Sequence, residues 1–274
     1  ILQEVADYQV KTPLTHTETD WTNGALYTGM VSYAGIAKDD RYYNWLKEIG
    51  YRNGWTYLHC TDPLGKYHAD DYCVGQMYLE MYRKFGKKEM LEPMRAYLDE
   101  IMSNPSSVDL EFVFTDTYWA TERWSWCDAL FMGPTVWAKM AAITGDQRYL
   151  DFMVKEYKAT TDYLYDKEEH LFYRDSRFIG QREANGAKIF WGRGNGWVFA
   201  GLPIIISELP DDYAHKEYFI NLYREMAAKI VSLQDENGYW HASLLDPASY
   251  PNPEMSATGC FVYGLAWGVR NNYL

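Results

Sequence analysis

Five segments of the chain are apolar around most of a helical circumference: TNGALYTGMVSYAGIAK (22–38), HADDYCVGQMYLEMYRKFG (68–86), WCDALFMGPTVWAKMAAITG (126–145), GRGNGWVFAGLPIIISEL (192–209) and SATGCFVYGLAWGVRNNYL (256–274). A helix of that kind needs cover on nearly every side. Between them run five segments that are apolar on one face: LQEVADYQV near the start, then 39–52, 87–103, 146–165 and 215–234. In 39–52, Tyr42, Trp45, Leu46 and Ile49 fall three or four residues apart, the spacing of one buried face. The pattern returns at intervals of roughly 50 to 65 residues. Inner helices needing cover, each paired with an outer helix that supplies it, predict an all-α fold of the α/α barrel type with five hairpins. Such a barrel ordinarily closes with six. Residues 1–274 are therefore expected to form a single barrel domain, C-terminally incomplete or open in one sector. The polar, strand-prone stretches 166–175 and 235–244 are expected to make hairpins or loops over one mouth.

A net charge of -12 disfavours a nucleic-acid backbone as partner, because such binders need clustered positive charge. The longest apolar runs fall short of the roughly 20 residues that span a bilayer. No membrane partner is expected, while compartment (bacterial cytoplasm or periplasm) and oligomeric state stay open. Cys60, Cys73, Cys127 and Cys260 show no paired spacing. Neither zinc nor a disulfide framework is expected, and the last three read as small residues of buried helices. The six histidines form no HExxH and no GxSxG elbow occurs, so metal hydrolysis and serine nucleophiles drop out. Carboxylate acid–base chemistry without a cofactor remains. The 17% aromatic content suits a large core, and equally suits platforms for sugar rings.

In such a barrel the first turns of the inner helices gather at one mouth, and the unusual residues cluster there. WSWCDALFM (124–132) holds one carboxylate, Asp128, among tryptophans and aliphatics. Asp128, Asp70 and Asp71 each have two readings. As helix N-caps they would accept amide hydrogen bonds and their pKa would fall. As a catalytic acid in apolar surroundings, a carboxyl would have its pKa raised. Ser125 offers a competing cap ahead of Asp128. GRGNGW (192–197) lacks the strand context and GK[ST] of a phosphate loop. Its glycines more readily turn the chain tightly, placing Trp191, Arg193 and Trp197 at the cavity, where Arg193 either meets a sugar or stacks on tryptophan.

ADDYCVGQ (69–76), WCDALFM (126–132), FWGRGNGWV (190–198) and SATGCFVYGLAWG (256–268) resemble the unsaturated glucuronyl and rhamnogalacturonyl hydrolases, glycoside hydrolase families 88 and 105. The resemblance implies an (α/α)6 barrel. It implies substrates left by polysaccharide lyases, pectin or rhamnogalacturonan in type, whose terminal uronate carries a C4=C5 double bond. The family hydrates that bond rather than attacking the anomeric carbon. By motif, Asp128 corresponds to the acid/base and Asp70 to a second aspartate near the uronate, with Asp71 beside it. Trp126, Met132, Trp191, Arg193 and Trp197 fall among the substrate contacts. One departure stands out: where many members carry a histidine, LFYRDSRF (171–178) offers Arg174, Asp175 and Arg177. Arg174 is accordingly expected to face substrate.

Two rivals share the scaffold. A conventional inverting glycosidase needs a second carboxylate, for which Asp70 is the candidate, across about 6.5–9.5 Å. A non-catalytic carbohydrate-binding barrel would keep the aromatic pocket and need no acid. The fold alone does not separate them.

Overall fold

A computed structural model describes residues 1–57, 67–112 and 122–274; Cys60 and His59 lie outside them. Within the described residues run α1 (Leu2–Lys11), α2 (Trp21–Ala34), α3 (Arg41–Arg52), α4 (Gly75–Phe85), α5 (Glu92–Ser103), α6 (Ala129–Met132), α7 (Pro134–Thr144), α8 (Arg148–Leu164), α9 (Gly192–Glu208), α10 (Lys216–Ser232) and α11 (Met255–Arg270). The inner series α2, α4, α7, α9 and α11 packs consecutively, and α3, α8 and α10 back it from outside. The alternation of all-apolar and one-faced segments thus becomes inner and outer helices of an α/α barrel.

Two inner segments depart from the helices that their periodicity predicts. Residues 69–72 form a 3-10 turn before α4 begins. Segment 126–145 is cut between Met132 and Pro134. Pro134 has no N–H to continue the ladder of α6, yet its fixed φ suits the opening of α7. Both breaks fall at the same mouth, where they turn side chains toward one another.

α11 is not covered on nearly all sides. One face packs on α9, while Met255, Val262, Tyr263 and Val269 are exposed. Between α11 and α2 runs a groove of about 580 Å³, with Tyr263 and Trp267 on one wall and Thr28 and Ser32 on the other. At its floor, buried Lys139 of α7 meets Glu80 of α4 and Glu208 of α9. Arg83 also bridges to Glu208, at 2.5 Å. Burial pushes the Glu208 carboxyl up, but Arg83 and Lys139 outweigh it and hold the group below its ordinary value. This network ties three inner helices at the end opposite the catalytic candidates.

The stretch 166–175 supplies part of the predicted hairpin: β1 (Tyr165–Asp166) pairs antiparallel with β2 (Leu171–Phe172). Residues 235–244 make only isolated bridges, Trp191 with Ser243 and His241 with Pro253. β2 is locked to α9 by the buried Asn195 side chain. Its Oδ1 accepts from Phe172 N at 2.8 Å, and its Nδ2 donates to Phe172 O and Trp191 O, both at 3.0 Å. Asn195→Ala strands Phe172 N and O, while Trp191 O keeps its bond from the main-chain N–H of residue 195. It should cost about 3 kcal/mol in urea unfolding.

Candidate active site

Asp128 stands at the N-cap position of α6 with helical dihedrals, φ -59° and ψ -32°, and its side chain caps nothing. Its Oδ1 accepts a weak bond from Cys127 Sγ at 3.4 Å. The carboxyl is half-buried, with Trp126, Cys127 and Ala129 buried around it. Burial pushes its pKa above the ordinary value; Arg174, Cys127 and Arg193 pull it back only in part. The sign is that of a proton donor, opposite to that of a capping carboxylate.

Asp70 lies in the 3-10 turn Ala69–Tyr72. The cap there is His68, whose Nδ1 accepts from Asp70 N at 3.4 Å. Asp70 Oδ1 is buried without a hydrogen-bond partner among the described residues. Burial first, then the charges of Asp128 and Asp71, drive its carboxyl well above the ordinary range. A carboxyl desolvated beside two other carboxyls is disfavoured in its charged form, so Asp70 tends to hold its proton. Asp71 does not share this position. It is 4% exposed, and its charge acts on the Tyr97 hydroxyl of α5. Successive residues of a 3-10 turn point about a third of a turn apart, so only one of the two aspartates can face the mouth.

Met132, four residues beyond Asp128, lies one turn deeper and is 1% exposed within the core. Neither Met132 nor Asp71 offers open surface to a sugar.

The first turn of α9 forms the opposite wall. A Cβ on Gly194 would sit 2.7 Å from Cys127 Sγ, 3.0 Å from Trp191 Cε3 and 3.3 Å from Asp128 Oδ1. Only glycine lets α9 approach the acid this closely. Gly194→Ala should therefore displace Asp128 and lower kcat by about 10²-fold with the helical circular dichroism retained. The Arg193 guanidinium lies 4.3 Å over the Trp191 ring, and its Nη1 is 3.9 Å from Glu254 Oε1. Stacking on tryptophan and a place beside the acid are both realised. Trp197 packs edge-on to Trp21 at 6.2 Å and against Phe131 at 4.8 Å, and its Nε1 is buried without an acceptor among the described residues. Trp126 meets the His68 ring edge-on at 5.0 Å.

The 174–177 loop completes the mouth. It is pinned to the α6 entry by Cys127 N donating to Arg174 O at 2.8 Å and by the Trp126–Asp175 bridge. The buried Asp175 carboxylate takes Arg174 Nη1 at 2.6 Å, Arg177 Nε at 2.8 Å and Arg177 Nη2 at 2.9 Å. One negative charge against two positive ones leaves a net positive spot beside Asp128.

Asp70, Asp128, Trp126, Trp191, Arg193, Trp197 and Arg174 are thus brought to one mouth. Sequence reasoning missed Trp21, His68 and the anchoring role of Asp175. A signal existed for the first: Asp20 caps α2 by accepting from Thr22 N at 2.9 Å, so the TDWT string marks Trp21 as a first-turn residue. The lone acid between Arg174 and Arg177 was a signal for Asp175.

Helical hairpins of an α/α barrel thus bring two desolvated carboxyls, aromatic rings and arginines to one mouth. The chain belongs to glycosyl hydrolase family 88, whose sequence model matches residues 1–274. Two relatives are named unsaturated 3S-rhamnoglycuronyl hydrolase. The one from Alteromonas sp. is 38% identical over 93% of this chain and 62% of its own length. The one from Formosa agariphila is 39% identical over 93% of this chain and 68% of its own. The chain therefore spans less than two thirds of the Alteromonas relative. Among solved structures, a family 88 glycosyl hydrolase from Bacteroides vulgatus superposes with a TM-score of 0.86 at 26% identity, covering 100% of this chain and 79% of that one. A protein titled as a polysaccharide lyase superposes with a TM-score of 0.87 at 28% identity, with the same coverage.

Proposed function

We propose that this site removes an unsaturated uronic acid from the non-reducing end of lyase-derived oligosaccharides by hydrating its C4=C5 double bond. The observation that carries the reading is Asp128: a carboxyl with no capping role, pushed toward its protonated form by apolar surroundings. Neutral Asp128 donates its proton to C4. The resulting carboxylate then takes a proton from a water whose oxygen bonds to C5. C5 now carries a hydroxyl and the ring oxygen. This hemiketal opens to a ketone, leaving a hemiacetal at C1 that expels the leaving sugar as an alcohol. One water is consumed, and a single carboxyl serves first as acid and then as base. Arg174 and Arg193 offset the uronate charge that the overall charge of -12 would otherwise repel. Asp70 faces the same sugar. Trp126, Trp191 and Trp197 wall it.

The names of the relatives support beginning with unsaturated 3S-rhamnoglycuronyl oligosaccharides, followed by unsaturated rhamnogalacturonan fragments. The test is loss of the ultraviolet absorbance of the conjugated uronate on adding the protein. The presence of a second carboxyl, Asp70, within electrostatic reach of Asp128 supports one second reading, an inverting glycosidase. It would release sugar from saturated oligosaccharides with the absorbance unchanged.

We infer further that residues 1–274 act as one barrel domain whose groove between α11 and α2 receives another helical hairpin. The exposed apolar face of α11 supports this, as does the greater length of the solved relatives. A fluorescent apolar dye should bind the chain as it stands.

A further inference from the structure

Cys127 precedes the acid in the chain, and its side chain turns to the acid in the fold. Its main chain is fixed on both sides. Cys127 N donates to Arg174 O at 2.8 Å, and Cys127 O accepts from Leu130 N at 3.0 Å. The side chain is therefore aimed by the backbone. Its Sγ lies 3.4 Å from Asp128 Oδ1 and presses on the first turn of α9, where a Cβ on Gly194 would stand 2.7 Å from it. The residue is fully buried, so water does not compete for the thiol.

A small core residue, the role that burial alone would give it, needs only volume at this place. Two observations ask for more. The thiol keeps its proton: burial first, then the charge of Asp128 and the bond to it, push the group well above its ordinary range, with Arg174 opposing. A neutral S–H beside an ionised carboxyl oxygen is a donor to it. The bond also selects one oxygen of the acid. Oδ1 is the atom 3.3 Å from the point where Gly194 has no Cβ, so it is turned to the packing between α6 and α9. Oδ2 is the oxygen left for substrate.

We propose that Cys127 is a positioning residue for the reaction: its thiol holds Asp128 Oδ1 so that Oδ2 is the oxygen that gives its proton to C4. The proposal rests on the hydration reading above. A thiol suits the task because it donates weakly. It turns the carboxyl without strongly favouring the ionised form. A hydroxyl in its place would donate more strongly to the carboxylate and promote loss of the proton. A methyl group would leave the carboxyl free to turn. The other charged groups that act on Asp128 come from three elements. Arg174 of the 174–177 loop and Arg193 of α9 favour its ionised form, and Asp70 of the 3-10 turn faces it with like charge. A change at the thiol alone leaves all three in place.

The test follows kcat/KM of the full chain against pH on an unsaturated oligosaccharide from lyase digestion. In Cys127→Ser the alkaline limb should move to lower pH by about one unit, as a stronger donor replaces a weak one, with the acidic plateau within about twofold of the wild type. In Cys127→Ala the limb should move to higher pH, and plateau kcat should fall about tenfold with KM little changed. A second measurement needs neither substrate nor a Cys127 variant. An infrared S–H stretching band of the wild type should drop in frequency as pH rises through the interval of the alkaline limb, because the ionised carboxyl is the stronger acceptor. Asp128→Asn should abolish that step. Limbs that stay in place or move together in the two Cys127 variants would overturn the proposal, and so would S–H bands that ignore pH. No turnover by the wild type would overturn the hydration reading itself, and the proposed role with it.

Discussion

Asp128→Asn is expected to lower kcat on an unsaturated oligosaccharide by about 10³-fold and, at neutral pH, to raise the melting temperature. The two effects share a cause. Apolar surroundings disfavour the charged carboxylate, which fits the proposed role of holding a proton for C4 and makes its ionised form a burden on the fold. Asparagine keeps the shape and cannot ionise. The pH dependence follows from the same sign. An unfolded Asp128 ionises near the ordinary carboxylate value, whereas the folded one ionises higher. Over the interval between them the folded state binds more protons, so the wild type loses stability as pH rises. Below that interval wild type and variant should melt alike. Through it the variant should gain, and the gap should level off above the folded value. Asp70→Asn should behave likewise in melting, since burial and the neighbouring carboxylates raise that group further. For activity, kcat/KM of the wild type should fall on the alkaline side as Asp128 loses its proton. A variant that keeps full turnover would remove Asp128 from the mechanism, whatever its melting temperature.

Asp175→Ala should be the most damaging single change at the mouth. It removes a fully buried carboxylate that accepts from Arg174 and from three nitrogens of Arg177, one of them main-chain. Breaking a buried pair from one side ordinarily costs about 3–5 kcal/mol. The arginine side chains here are 32% and 39% exposed, so water can take up part of the loss and the lower end applies. The expected cost is about 3 kcal/mol in denaturant unfolding, with a rise in KM because Arg174 loses its fixed position. Asp175→Asn should lie between, since the amide oxygen can still accept from one arginine. Unchanged stability in the alanine variant would mean that the 174–177 loop is held by its main-chain pairing with residues 126 and 127 rather than by the ion pairs.

The architecture was legible because its signal is periodic. Segments apolar on all faces, alternating with segments apolar on one, leave few arrangements other than inner and outer helices. The breaks were less legible. The Pro134 interruption can be read from one residue, but the 3-10 turn at Ala69–Tyr72 follows from how α4 meets its neighbours. That turn separates Asp70 from Asp71, which sequence reasoning treated as adjacent members of one site. The full burial expected of α11 did not hold on the face turned to the groove, because burial belongs to whatever packs alongside rather than to the helix itself.

Local pattern was enough for the barrel class, the order of inner and outer helices, and the motifs that carry Asp128, Asp70 and the α9 tryptophans. These rest on composition and spacing, which act over a few turns of chain. Tertiary structure alone decided which carboxyls lose their water, and that Asp128 caps nothing. It alone set α9 against the acid through Gly194 and paired Asp175 with two arginines. Desolvation and hydrogen-bond satisfaction depend on neighbours brought from far along the chain, and no local window of sequence contains them.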